Sequence, residues 1–178
     1  MSSIIDIKVK NIIEKKPYIA KGELGLLFNC KEKNLDKKIL TMVKSGYLVN
    51  LKRGLYTTQA YVNAYLPLVL EYLTNSIYYP SYISGEYVVQ KEGMLPEQVY
   101  TVTSVTNKNS RMFSNTLGNF LYRSIRDDLF CGYTQSDFRE DYKIKIATKA
   151  KALFDYLYFK NLGRTKKVFT RELFFDLR

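Results

Sequence analysis

The stretch Lys31–Thr57 constrains this chain most. It reads KEKNLDKKILTMVKSGYLVNLKRGLYT. At the helical spacing of about 100° per residue, Leu35, Ile39, Met42 and Val43 fall on one side. Asn34, Lys37, Thr41 and Lys44 fall on the other, with Lys38 and Ser45 at its edge and Lys31 and Lys33 at its start. One face can pack, and the other offers amines, an amide and a hydroxyl. Gly46 suits the residue just past the helix end, where a positive φ closes the last turn. Tyr47–Leu51 then reads as a strand and Leu55–Thr57 as its return, with Lys52, Arg53 and Gly54 at the hairpin tip.

Two further helix patterns precede this stretch. The first covers roughly Ile4–Lys16, with Ser2 or Ser3 as cap and Ile5, Val9, Ile12 and Ile13 as its apolar stripe, and Pro17 ends it. Tyr18-Ile19 reads as a short extended piece able to pair with the hairpin. Lys21–Phe28 reads as a second helix in which Leu24, Leu27 and Phe28 face inward, although Gly22 and Gly25 weaken the pattern. Any surface helix in a basic protein carries lysines. Three helices followed by a hairpin tipped Lys-Arg-Gly is a rarer combination, and it is the layout of a winged helix-turn-helix. In that layout Lys31, Lys33, Asn34, Lys37, Lys38, Thr41, Lys44, Ser45, Lys52 and Arg53 are the expected DNA contacts. The cations meet phosphates and the short polar groups reach base edges.

Charge agrees with a polyanionic partner. The formal net charge is +11, with no histidine. Residues 1–58 hold 12 Lys and Arg against 5 Asp and Glu, whereas residues 59–178 hold 16 against 12. The basic excess is therefore concentrated in the first third, and phosphate contacts release counterions. An anionic membrane is the competing polyanion, but no amphipathic helix with a bulky aromatic face dominates the basic region. The longest apolar run, around Tyr65–Leu70, is too short to span a bilayer. Asp6 and Lys8 interrupt the first apolar stretch, unlike a signal peptide. Cys30 and Cys131 belong to no metal-spaced motif, so two buried, reduced thiols and a cytoplasmic location are expected.

Beyond a connector at residues 58–66, the pattern changes. Pro67 can open a helix reaching Thr74, Tyr78–Ile83 is extended, and Ser84 can cap a helix over Gly85–Glu92. Val99–Thr106 alternates as a strand. Met112-Phe113, Phe120–Ile125, Leu129–Tyr133 and Tyr142–Ala147 read as further strands. Thr148 can cap a helix to Lys160 with Ala152, Leu153, Tyr156, Leu157 and Phe159 along its stripe, and Thr170 can open a last one. The expected fold is α+β: a winged helix-turn-helix over residues 1–58, then a small mixed α/β domain over residues 59–178.

No catalytic residue, cofactor or metal is expected. Without histidine there is no Ser-His or Cys-His pair, and no Walker-type loop is present. The one enzymatic pattern is a metal-dependent nuclease built from Asp127 or Asp128 with Asp141-x-Lys143. The same acid-x-base spacing recurs in several other places, as composition alone would give. Tyr78, Tyr79, Tyr82 and Tyr87 could stack on bases, but half-buried strand tyrosines are the commoner case. Lys143, Lys145, Lys149 and Lys151 could form a second basic surface.

Several runs in the second part resemble a known family. They are Pro80–Glu86, Glu92–Glu97, Thr103–Thr106, Gly118–Arg123, Leu129–Tyr133, Ile146–Thr148 and Lys151–Asp155, following a hairpin that ends Lys52-Arg53-Gly54-Leu55-Tyr56. In that order they resemble the AbiEi antitoxins of bacterial abortive-infection (AbiE) systems, over nearly the whole chain. Lys149-Ala150 stand where the family often has Pro-Glu, and the sequence stops soon after Phe175, where many members continue. The resemblance implies a type IV antitoxin that counteracts a nucleotidyltransferase-like toxin without a stable complex. It also implies a repressor that binds inverted repeats in its own promoter. The alternative is a stand-alone transcriptional regulator whose second domain dimerises or senses a ligand.

Overall fold

The computed structural model describes residues 6–139 and 141–160. The expected Ser2 or Ser3 cap, Ile5 and the helix at Thr170 lie outside those residues. The first unit runs α1 (Ile7–Glu14), β1 (Ile19–Ala20), α2 (Lys21–Phe28), α3 (Glu32–Lys44), β2 (Leu48–Lys52) and β3 (Leu55–Thr58). Its three strands form an antiparallel sheet in the order β1-β3-β2, with Ile19 opposite Tyr56 and Val49 opposite Thr57. Asp6 begins α1 by accepting the Lys8 N–H at 3.0 Å. On α1 Ile13 is buried and Val9 half-buried, but Ile12 is exposed. Gly25 sits where a Cβ would stand 3.2 Å from Leu35 Cδ2, so this glycine permits close packing of α2 on α3. Gly46 takes φ 75°, and the Tyr47 N–H then reaches back to the Met42 carbonyl at 3.0 Å, closing α3.

No connector separates the two units. Thr58 ends β3 and at once caps α4 (Gln59–Tyr65), its hydroxyl accepting the Tyr61 N–H at 3.1 Å. Tyr61 and Val62 are buried, which is why the segment folds as a helix rather than a loop. There follow α5 (Leu68–Ile77), β4 (Tyr82–Ile83), α6 (Glu86–Lys91), β5 (Thr101–Thr106), β6 (Arg111–Asn115), β7 (Gly118–Ser124), a 3-10 turn (Asp127–Leu129), β8 (Tyr133–Arg139), β9 (Tyr142–Ala147) and α7 (Lys149–Lys160). The six strands form a mixed sheet, β6-β7-β5-β4-β9-β8. β5 runs parallel to β7, and β4 parallel to β9; the remaining pairs are antiparallel. Alternate side chains of β5, Val102 and Ser104 on one side and Thr103 and Val105 on the other, are all buried, so the sheet is covered on both faces there. The chain is thus mixed α+β with two sheets.

Three local expectations are corrected. Of the strand expected at Leu129–Tyr133, Leu129 ends a 3-10 turn and residues 130–132 are irregular; the strand proper, β8, starts at Tyr133 and runs to Arg139. β8 is an edge strand with Thr134–Asp137 exposed, so it lacks the apolar alternation that marks a half-buried strand. Ser84 does not cap α6: Gly85 occupies that position, and the Ser84 hydroxyl turns to Asp155. α7 buries Lys151, Ala152 and Asp155 rather than the purely apolar stripe, because the two charges satisfy one another inside.

The buried residues form two clusters, and the hairpin belongs to both. Leu48 and Tyr56 pack with Ile13, Ile19, Leu24, Leu35, Ile39 and Met42 of the three-helix unit. Val49, Leu51 and Leu55 join the larger core of the second unit with Val69, Leu73, Ile77, Val105 and Phe120. A strand sends alternate side chains to opposite faces, so β2 and β3 serve both cores at once. Both cysteines are free; Cys131 is exposed and Cys30 half-buried, instead of both being buried.

Buried phenols give this core a pH limit. Burial pushes Tyr72 up to about 12, and burial also raises Tyr82, Tyr87 and Tyr122, with Asp155 adding to the shift at Tyr82 and Glu71 at Tyr87. A phenol raised on folding contributes its stability in full below the unfolded value of about 10 and loses it as pH climbs toward the folded value. Unfolding free energy should therefore hold level from about pH 7 to 9. Above about pH 10 each of these tyrosines should remove about 1.4 kcal/mol per pH unit. Phenolate absorbance from these groups should appear together with loss of far-ultraviolet circular dichroism.

Candidate nucleic-acid interface

Leu35, Ile39 and Met42 turn α3 toward the core. The same rotation leaves Lys33, Asn34, Lys37, Thr41 and Lys44 exposed together, with Lys31 exposed at the N-cap and Ser45 at the C-cap. Among the described residues none of Lys31, Lys33, Lys37 or Lys44 is ion-paired. Thr41 Oγ1 donates to the Lys37 carbonyl at 3.0 Å and Ser45 Oγ to that of Met42 at 3.0 Å, so both hydroxyl oxygens can still accept. The acids of the helix are drawn to one flank. Lys21 Nζ lies 2.7 Å from Asp36 and 3.8 Å from Glu32, and the bond with Asp36 holds this amine above the ordinary lysine value. Lys21 also donates its backbone N–H to the Gly54 carbonyl at 2.9 Å, tying the hairpin tip to α3 through one residue.

Two of the expected contacts are placed otherwise. Lys38 is half-buried, with its amine over the Phe28 ring at 3.9 Å from the centroid. Lys52 turns away from the tip and donates to the Ile77 carbonyl at 2.6 Å. Burial first, then the neighbouring charges of Lys108 and Arg111, lower its pKa from the ordinary lysine value. Arg53 alone remains exposed at the tip. Nothing in the local sequence signals that Lys52 is diverted, because its acceptor lies on α5 and the contact depends on how the two units dock. Conversely, Leu40 is 54% exposed on α3, three residues after Lys37 and four before Lys44. The 3.6-residue period already placed it on the cationic side.

The four lysines expected as a second basic surface have different surroundings, and only Lys151 is buried. Lys143 is exposed, 4.0 Å from Asp137. Lys145 lies over the rings of Tyr79 and Tyr133, at 5.0 and 5.9 Å. Lys149 pairs with Glu92 at 2.7 Å. Lys151 is buried, 2.8 Å from Asp155 and donating to the Leu129 carbonyl at 2.7 Å. Asp155 also accepts from the Tyr82 hydroxyl at 3.0 Å and from Ser84 at 2.7 Å. This network joins the segments 80–86 and 151–155 in the interior.

The tyrosines divide in the same way. Tyr82 is buried against Asp155, and Tyr87 donates to Glu71 at 3.0 Å. Tyr78 is half-buried and Tyr79 exposed. Of the acids in the nuclease pattern, Asp127 accepts from Asn107 at 3.0 Å, and Asp128 takes a two-pronged contact from Arg126 at 2.7 and 3.0 Å. Among the described residues no three His, Cys, Asp or Glu side chains gather as a metal site, and no helix is long and apolar enough to cross a membrane.

Removing Asp155 should be costly, because Lys151 would be left as an unpaired charge in the interior. Asp155→Ala is expected to lose about 3–5 kcal/mol of unfolding free energy in urea titration. Ser84→Ala, which deletes one hydrogen bond to a charged group, should lose about 1.5–3 kcal/mol. Comparison of the chain with protein-family models and with curated proteins finds no match.

Proposed function

We propose that residues 1–58 are a winged helix-turn-helix that binds duplex DNA through α3 and the β2–β3 hairpin. We further propose that the chain is an antitoxin of the AbiEi kind, acting in the cytoplasm. In this reading it represses its own operon at inverted repeats in the promoter. Its second unit counteracts a nucleotidyltransferase-like toxin without needing a stable complex.

The observation that carries the reading is the exposed face of α3, where Lys33, Lys37 and Lys44 stand without carboxylate partners among the described residues, beside Asn34 and Thr41. Supporting it are the element order α1-β1-α2-α3-β2-β3 and the strand order β1-β3-β2. A helix about 10–12 Å across with its side chains fits a major groove about 12 Å wide. Lysines flanking it would meet the phosphates, Asn34 would pair with an adenine edge, and Leu40 would offer an apolar contact to a thymine methyl. The antitoxin half of the reading is supported by the ordered resemblance of the second unit.

A second reading, a stand-alone regulator whose second unit dimerises or senses a ligand, draws on the hairpin's docking into the second core. That contact would let an event in the second unit bias the grip on DNA. Co-expression with a neighbouring nucleotidyltransferase-like protein separates the two: rescue of growth supports the antitoxin, and continued toxicity at full DNA binding supports the regulator.

DNA binding itself is tested by gel shift with the duplex just upstream of the gene. Lys37→Ala and Lys44→Ala should weaken binding to every sequence and make its salt dependence shallower. Asn34→Ala and Thr41→Ala should instead relax sequence preference, by about 1–3 kcal/mol per lost base contact. Arg53→Ala should weaken binding at low salt; unchanged affinity there removes the hairpin tip from the interface.

A further inference from the structure

Three cations meet where the hairpin docks on the second unit. Lys52 arrives from β2 and bonds the Ile77 carbonyl at 2.6 Å. Lys108 comes from the β5–β6 turn and bonds the Tyr79 carbonyl at 2.8 Å, its amine 6.0 Å from the centre of the Tyr78 ring. Arg111 opens β6, its guanidinium 5.7 Å from the same ring. All three therefore gather around Ile77–Tyr79, and the lowered pKa of Lys52 registers the other two. Arg53, next in the chain after Lys52, is exposed at the hairpin tip.

Capping accounts for only part of this cluster. Ile77 ends α5, and a helix C-terminus carries roughly half a negative charge. That is small against three full positive charges. Among the described residues no carboxylate pairs with Lys52, Arg53, Lys108 or Arg111. Asp127 accepts from the Asn107 amide at 3.0 Å and keeps its charge, but no ion pair joins it to Lys108 or Arg111 among the described residues. Lys108 and Arg111 are exposed, so an anion can reach them. Tyr78 is itself fixed, its hydroxyl donating to the Asn109 carbonyl at 3.1 Å, and it offers both cations one aromatic platform. The position is set by the docking: Asn115, at the far end of β6 from Arg111, donates to the Leu51 carbonyl at 3.1 Å, which holds β6 against the hairpin strand that carries Lys52.

We infer that Lys108 and Arg111, with Lys52 behind them, form a phosphate-binding site for the backbone of the same duplex, carrying the DNA footprint from α3 past Arg53 onto the second unit. This rests on the DNA-binding reading above. A duplex presents a charge every ~1.7 Å of its axis, so a strand leaving the hairpin tip has phosphates to offer the neighbouring turn. Contacts of this kind fix register and add affinity without reading sequence.

The test is the salt dependence of binding of the full chain to the upstream duplex and to a random duplex of equal length. Lys108→Gln with Arg111→Gln should make the slope of log affinity against log salt shallower by about 0.9 for each lost phosphate contact, equally on both duplexes. Lys10→Gln with Lys15→Gln on and after α1 removes the same charge from exposed positions elsewhere and should leave the slope unchanged. An unchanged slope in the Lys108/Arg111 variant, while Lys37→Ala still weakens binding, overturns the site and leaves the α3 reading intact. An equal drop in the Lys10/Lys15 variant assigns the effect to net charge and also overturns the site. Absence of any DNA binding by the unaltered protein overturns both. Thermal melting of each variant by circular dichroism establishes that the comparison is between folded proteins.

Discussion

The β2–β3 hairpin is shared by two hydrophobic cores, and much of the molecule depends on that sharing. Leu48 and Tyr56 close the three-helix unit, while Val49, Leu51 and Leu55 seal the larger sheet. The side-chain period of a strand makes this possible in only a few residues, because neighbours point to opposite faces. A register shift between Asn50 and Lys52 adjusts the pairing near the tip, where Leu51 is committed to the larger core and Lys52 to Ile77. The angle between α3 and the second unit is thereby set by buried contacts rather than by a tether.

The second unit handles its interior charges by pairing them. Asp155 meets Lys151, Tyr82 and Ser84, and Glu71 meets Lys91 and Tyr87. Isolated charges in such places would cost several kcal/mol each, so the partners are part of the fold. This explains why chain segments about 70 residues apart carry matched polar groups at Ser84 and Asp155. It also separates two kinds of basic residue. Lys151 is structural, whereas the lysines along α3 stand free of carboxylates among the described residues.

The first unit was legible because its signals are local. Glycine at position 46, the apolar spacing Leu35-Ile39-Met42 and the Lys-Arg-Gly turn each act within a few residues. Ser84, Lys52 and Lys151 were misplaced for the opposite reason. Ser84 and Lys52 are directed by partners 71 and 25 residues away, and Lys151, although it pairs with nearby Asp155, also reaches the Leu129 carbonyl 22 residues away, so no short window of sequence holds all of these contacts. β8 carries no apolar alternation because an edge strand can be polar along most of its length, and in α7 an ion pair occupies a face that hydrophobicity assigns to leucine. The candidate interface follows the same division. The exposed side of α3 follows from periodicity, while the meeting of Lys52 with Lys108 and Arg111 depends on tertiary docking.

The two-faced hairpin also bears on how such a chain can be rearranged. A unit joined by a flexible linker can be exchanged between proteins, since severing it uncovers little. Here a cut after Thr58 would strip Val49, Leu51 and Leu55 of their covering and open the second core at the same place. Recombination at that boundary would leave two sticky halves, so the unit that inherits the hairpin must inherit a matching socket. The two parts are therefore bound to change together, residue against residue, across a seam that no linker relieves.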